Sequence, residues 1–104
     1  MNTPNANSTI WIHHARARSS WYELDAEAKT TYAERWRAID AAAIANGATS
    51  TGSHTVRGQS DYSTVEVWTF DSYDAAYDFW EQKVTAEYGR WFVFANSVGA
   101  KADT

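Results

Sequence analysis

The sequence predicts an α+β fold of the ferredoxin-like kind: a four-stranded antiparallel sheet with two helices on one face, connected β-α-β-β-α-β. Three observations predict it. The hydrophobic pattern switches repeatedly between a period of 2 and a period of 3.6 along the chain. Turn and capping residues stand at most of the switches. Two right-handed βαβ crossovers in this order close a four-stranded sheet with its helices on one side.

Thr9 to Ala17 (TIWIHHARA) is rich in β-branched and aromatic residues and reads as a first strand, with Trp11, His13 and Ala15 on one face and Ile10, Ile12 and His14 on the other. Ser20-Trp21-Tyr22-Glu23 fits a capping box, and Asp25 can cap a second, longer helix. In that helix Tyr32, Trp36, Ile39 and Ala43 form the apolar stripe, and Gly47 supplies a left-handed stop. Thr49 to Arg57 and Thr64 to Phe70 (TVEVWTF) read as a hairpin around the turn Gly58-Gln59-Ser60-Asp61. Asp71-Ser72 then caps a helix with the stripe Tyr73, Ala76, Tyr77, Trp80 and Val84, closing near Gly89. Arg90 to Val98 (RWFVFANSV) is the last strand. Residues 1–8 read as a disordered polar tail, 9–99 as a single domain and 100–104 as a short polar tail.

Composition narrows the function. The 104 residues carry 9 Lys and Arg against 13 Asp and Glu, a net charge of -4, which offers a nucleic-acid backbone no attraction. No run approaches the roughly 20 apolar residues of a membrane span, and Met1 to Thr9 is not a basic-then-apolar leader, so a cytoplasmic protein without membrane contact is expected. With no cysteine there is neither a disulfide nor a thiolate metal site. Six Trp, six Tyr and four Phe are more large rings than a core of this size requires, so some of them are expected to line a ligand site.

A two-layer fold leaves one sheet face uncovered, and a patch of exposed rings there would exceed what monomers tolerate. A homodimer packed through that face is therefore expected, with a cavity between sheet and partner. Trp11, Trp68 and Phe70 would form its wall. His13 would act there as a base or proton shuttle, or else sit hydrogen-bonded in the sheet or dimer seam. Glu66, on the face of Trp68 and Phe70, would be a general base among rings or an ion-pair partner of Arg16, Arg57 or Arg90. His54 is the next proton-transfer candidate. Asn96 would donate its amide to a carbonyl or oxyanion, or satisfy a buried backbone group. Trp21 and Tyr22 would cap the cavity as a lid or staple the start of the helix. Only His13, His54 and Glu66 together could approach a metal set, and no metal site is expected.

The segment VEVWTFDSYDAAYDFWEQKV, Val65 to Val84, resembles the third strand and second helix of the dimeric α/β-barrel superfamily. That superfamily includes antibiotic-biosynthesis monooxygenases, stress-responsive barrel proteins and haem-degrading monooxygenases. Trp21 and Leu24 after the first strand, with Trp91, Phe92, Asn96 and Gly99 at the end, are most similar to an uncharacterised bacterial family of such barrels. The resemblance implies a dimeric barrel and a small-molecule enzyme. Its haem-degrading branch would call for an Asn on the first strand, a Trp at the end of the third and a His in the second helix, whereas Phe70 stands at the strand end and no histidine follows His54. Its quinone-forming monooxygenases use Asn, Trp and Tyr without a cofactor. The resulting expectation is monooxygenase-like oxidation or acid/base isomerisation of a small apolar or aromatic substrate, with no tightly bound cofactor. The alternative is a non-catalytic barrel that binds a small ligand or haem.

Overall fold

The computed structural model describes residues 8–58 and 61–100. The two tails, apart from Ser8 and Ala100, and the centre of the hairpin turn lie outside the described residues. Strands β1 (Thr9–Ala17), β2 (Thr49–Thr55), β3 (Thr64–Phe70) and β4 (Phe92–Ala100) form one antiparallel sheet in the order β2-β3-β1-β4. Helices α1 (Ser19–Glu23), α2 (Ala26–Ala45), α3 (Tyr73–Thr85) and α4 (Tyr88–Trp91) complete the chain. The order is the ferredoxin-like one with two short helical turns added. None of the described helices is long and apolar enough to cross a membrane.

The helix starts follow local chemistry. Asp25 accepts a hydrogen bond from the Ala28 amide at 2.8 Å, and Ser72 one from the Ala75 amide at 3.1 Å. The capping box expected at Ser20 does not form: α1 begins one residue earlier, behind Arg18, whose side chain caps nothing. The stop expected at Gly89 also moves. Glu87 takes the left-handed conformation at φ 65°, and its carboxylate accepts from Tyr32 Oη and Arg90 Nη1, both at 3.0 Å. These side-chain anchors hold a residue that has a Cβ where glycine is usual. The following turn, α4, swings Tyr88 and Trp91 into the interior and delays β4 to Phe92.

Alternation along β1 is strict, with Thr9, Trp11, His13 and Ala15 buried and the residues between them more open. The register places Trp11 opposite Trp68 and Val98, and His13 opposite Glu66 and Asn96. The face they share is the helix-covered one, which overturns the expected cavity under the open face. Trp11 lies 5.2 Å from Phe79 and 5.6 Å from Trp80 between ring centroids, so α3 is what covers it. Trp68 and Phe70 stack at 5.7 Å and fill the core with Phe79 and Ala76. The bulk of the rings therefore goes into packing between layers, and the open face carries Ile10, Ile12, Val65 and Val67 together with His14 and His54.

The stripe of α3 is rotated by about one residue, or 100°, from the expected one. Ala76, Phe79 and Lys83 are buried, whereas Tyr73, Tyr77 and Val84 are more than half exposed. Phe79 has no polar atom to keep wet and fits between Trp11, Trp68 and Phe70. The tyrosines keep their hydroxyls at the rim. Lys83 can be buried because its ammonium pairs with Asp40 of α2 at 2.7 Å and lies 5.4 and 5.5 Å from the Phe79 and Tyr88 ring centroids.

A second aromatic cluster joins Ala15, Trp36, Ala86, Tyr88 and Trp91. Trp21 packs into it, 5.4 Å from Trp36 and 5.2 Å from Phe92, and so anchors α1 to the body of the domain. Tyr22 points away, 70 % exposed.

Candidate functional site

Beside the first aromatic cluster, between α3 and the β1 and β4 strands, lies a cavity of about 200 Å³ lined by Trp11, Ala76, Trp80, Asn96 and Val98, with Tyr73 and Tyr77 at its margin. Its position follows from the sequence locally. Ala76 is too small to fill the space that Phe79 fills one helical turn on, and β4 is an edge strand whose last residues no further strand covers. Four aromatic rings and one amide therefore meet at one end of the sheet.

The amide belongs to a buried polar chain. His13 Nδ1 lies 2.6 Å from Asn96 Oδ1, and His13 Nε2 lies 2.9 Å from Tyr88 Oη. His13 is 3 % exposed, with the Trp11 ring stacked at 5.1 Å and the Trp80 ring tilted at 5.5 Å. Burial lowers the His13 pKa from the ordinary histidine value, so it is neutral at pH 7, although the Asn96 hydrogen bond and the Glu66 charge oppose the shift. Burial raises the Tyr88 pKa, with the Glu66 and Asp40 carboxylates adding to it, and the phenol stays protonated. Asp40 is also raised, by burial, with Lys83 acting in the opposite direction. Two neutral groups and an ion pair thus stand behind the cavity wall.

Of the residues expected from the sequence, the structure brings Trp11 and Asn96 to the cavity and His13 directly behind them. Glu66 is half-buried on the same sheet face, where its Oε1 accepts from Trp68 Nε1 at 3.1 Å rather than pairing with an arginine. It does not line the cavity. Trp68 and Phe70 are core, Trp21 belongs to the second cluster, and Tyr22 faces solvent.

His54 lies on the other side of the sheet. It pairs with Val65, as His14 does, and the reason is a register shift between Ser50 and Ser53. One extra residue there, at Gly52 with φ 85°, reverses the parity of the rest of β2. Without it His54 would face the helices. The grouping of His13, His54 and Glu66 is therefore divided by the sheet, and no cluster of three metal-binding side chains occurs among the described residues. Haem does not fit this site either. The histidine near the cavity has both ring nitrogens engaged, and His14 and His54 lie across the sheet.

Sequence reasoning passed over Tyr88, Lys83 and Asp40. A signal for Lys83 exists: it continues the spacing of Ala76 and Phe79 at steps of three and four. Tyr88 gave none, because its inward turn depends on Glu87.

No family model matches the chain, and no curated protein matches it. Solved structures do. An arginine-to-alanine variant of chlorite dismutase from Candidatus Nitrospira defluvii superposes with a TM-score of 0.78 at 12% identity, over 97% of this chain and 42% of that one. A double mutant of the same enzyme gives 0.77 at 13% identity, over 97% and 43%. The cofactor-independent oxygenase SnoaB from Streptomyces nogalater gives 0.50 at 14% identity, over 95% and 97%. The chain spans less than half the length of the chlorite dismutase chains and nearly the whole of SnoaB. At these identities the likeness is one of fold, and the chain has the ferredoxin-like α+β fold found in chlorite dismutase and SnoaB.

Proposed function

We propose that the chain is a small-molecule protein whose ligand, a small apolar or aromatic compound carrying one polar heteroatom, occupies the cavity between Trp11, Trp80, Val98 and Asn96. The observation that carries this reading is the composition of that cavity: aromatic walls, a small floor at Ala76 and a single amide held in place by a buried histidine. Such a site gains its affinity from apolar area and its orientation from one polar contact.

The chemistry that suits it is cofactor-independent oxidation, which SnoaB's activity and fold make the natural comparison. An electron-rich substrate would supply all the electrons itself. A CH2 beside a ring or carbonyl becomes C=O while O2 gives one oxygen to the substrate and the other, with the two hydrogens, to water. In this reading Trp11 and Trp80 hold the ring, Asn96 meets the heteroatom, and His13 is a positioning residue. Glu66 and His54 take no part. The test is oxygen uptake with 2-tetralone, a two-ring ketone with an activated CH2. Uptake above the autoxidation rate, lost in Asn96→Ala and in Trp80→Ala, supports oxidation; uptake unchanged in both variants refutes this site.

A second reading, a carrier that binds without turnover, is favoured by His13 itself, because it stands behind the wall with both nitrogens occupied and no histidine or carboxylate is among the residues described as lining the cavity. It predicts saturable binding of the same ketone with no oxygen uptake. For assembly, we propose a homodimer through Ile10, Ile12, Val65 and Val67 of the open face, supported by their aliphatic character and by the length of chlorite dismutase chains, more than twice this chain. Sedimentation equilibrium at micromolar concentration should give twice 11.7 kDa.

A further inference from the structure

We infer that Tyr88 sets the hydrogen-bonding polarity of the cavity through His13 and Asn96, so that the site presents an N–H donor and selects ligands with an accepting oxygen. The inference rests on the cavity reading above and adds the ligand's chemistry to it.

The polarity follows from counting donors and acceptors. Tyr88 is 8 % exposed, and among the described residues its hydroxyl has one partner, His13 Nε2, at 2.9 Å. A buried O–H that donates to nothing is costly, so the hydroxyl donates and Nε2 accepts. The neutral imidazole then carries its proton on Nδ1. That N–H donates across 2.6 Å to Asn96, which must offer its carbonyl oxygen, as the structure places it. With Oδ1 committed, Asn96 turns its NH2 the other way. No hydrogen bond among the described residues engages that nitrogen, and Asn96 is a lining residue of the cavity.

The opposite arrangement would have Asn96 donating to Nδ1 and Nε2–H donating to Tyr88, and would strand the tyrosine proton in the core. A hydroxyl 75 residues away in sequence from His13 thereby decides which end of the Asn96 amide a ligand meets. A carbonyl, quinone or phenolate oxygen is accepted by such a site. A ligand of the same shape without an acceptor leaves the NH2 unpaired and is bound less well.

Two measurements on the full chain test this. The first needs no ligand: 15N–1H correlation of the His13 ring should show a pyrrole-like Nδ1 and a pyridine-like Nε2, and the reverse pattern overturns the inference. The second compares acetophenone with its isostere α-methylstyrene, followed through the Trp11 and Trp80 indole signals. Wild type should prefer acetophenone, and Tyr88→Phe should reduce that preference by about tenfold, because the chain then has no fixed direction. A preference unchanged in Tyr88→Phe overturns the inference even if the variant is less stable, since the ratio is taken within one folded protein. Binding of neither compound at millimolar concentration refutes the cavity reading, and with it the selection of ligands. The tautomer found in the same sample still decides whether Tyr88 fixes the amide.

Discussion

His13 and His14 are consecutive residues of one strand, and the pleat sends them into different surroundings. His13 is 3 % exposed, held at both nitrogens and packed against two indoles. His14 is only half-buried, opposite Val65, with the Tyr62 ring 5.8 Å away. The same contrast runs across the whole sheet. The helix-covered face carries tryptophan, phenylalanine and a polar chain that ends at a cavity; the open face carries Ile10, Ile12, Val65 and Val67. A face built from rigid rings and directed hydrogen bonds is suited to recognising one small molecule, and a face with four aliphatic side chains at its centre is suited to packing against a second copy. Position in the pleat, rather than residue type, decides which of two histidines belongs to the site.

The largest effect that could break this contrast is in stability. Trp68→Ala should cost about 3–5 kcal/mol in urea unfolding, because the ring is fully enclosed by Trp11, Phe70 and Phe79. Ile10→Ala, 41 % exposed, should cost less than about 1 kcal/mol in the monomer. An Ile10→Ala cost that rises with protein concentration would sharpen the contrast by showing the open face covered by association.

The next effect separates the two histidines. His13→Ala removes the partners of the Tyr88 hydroxyl and Asn96 carbonyl and should destabilise by about 1–3 kcal/mol, whereas His14→Ala should stay within about 0.5 kcal/mol. Equal costs would mean that the buried chain adds nothing beyond packing.

A smaller effect is its pH dependence. The folded pKa of His13 lies below the unfolded one, so its neutral form is favoured by the fold. That contribution is complete above the unfolded histidine pKa of about 6.5 and is lost as pH falls, since the unfolded chain takes up the proton first. Asp40, raised by burial, has the opposite sign, and its ionisation weakens the fold as pH rises through the carboxylate range. Chemical denaturation between pH about 7 and about 5.5 should show stability falling toward acid, and His13→Gln should flatten that slope. A slope unaltered in His13→Gln would place its origin elsewhere.

Much of the fold was legible because each element carries its own signal. Alternation in TIWIHHARA and TVEVWTF gave strand faces correctly, Asp25 and Ser72 marked helix starts, and the element order gave the topology. The sides of the sheet were not legible, because a face crowded with rings looks the same whether helices or a partner will cover it. The side of the sheet that His54 takes was not legible either, because one bulged residue sets it, which period-2 reasoning cannot see. The α3 stripe was ambiguous because Tyr73, Ala76, Tyr77, Trp80 and Ala76, Phe79, Trp80, Lys83 both have helical spacing; burying a lysine is favourable only with Asp40 opposite, and that pairing is tertiary. Trp11, His13 and Asn96 were expected at one cavity together with Trp68, Phe70 and Glu66, under the open face; the structure puts Trp11 and Asn96 at a cavity on the helix-covered side, with His13 behind them. Tyr88 was not expected there, since a left-handed glutamate aims it.

The claim that binding belongs to the helix-covered face is tested most directly by mapping where acetophenone binds in solution. Titration followed by two-dimensional NMR should perturb the Trp11 and Trp80 indoles and the Asn96 side-chain amide, leaving Ile10, Ile12, Val65 and Val67 unmoved. Shifts confined to Ile10, Ile12, Val65 and Val67, with those indoles and the amide unchanged, would contradict it.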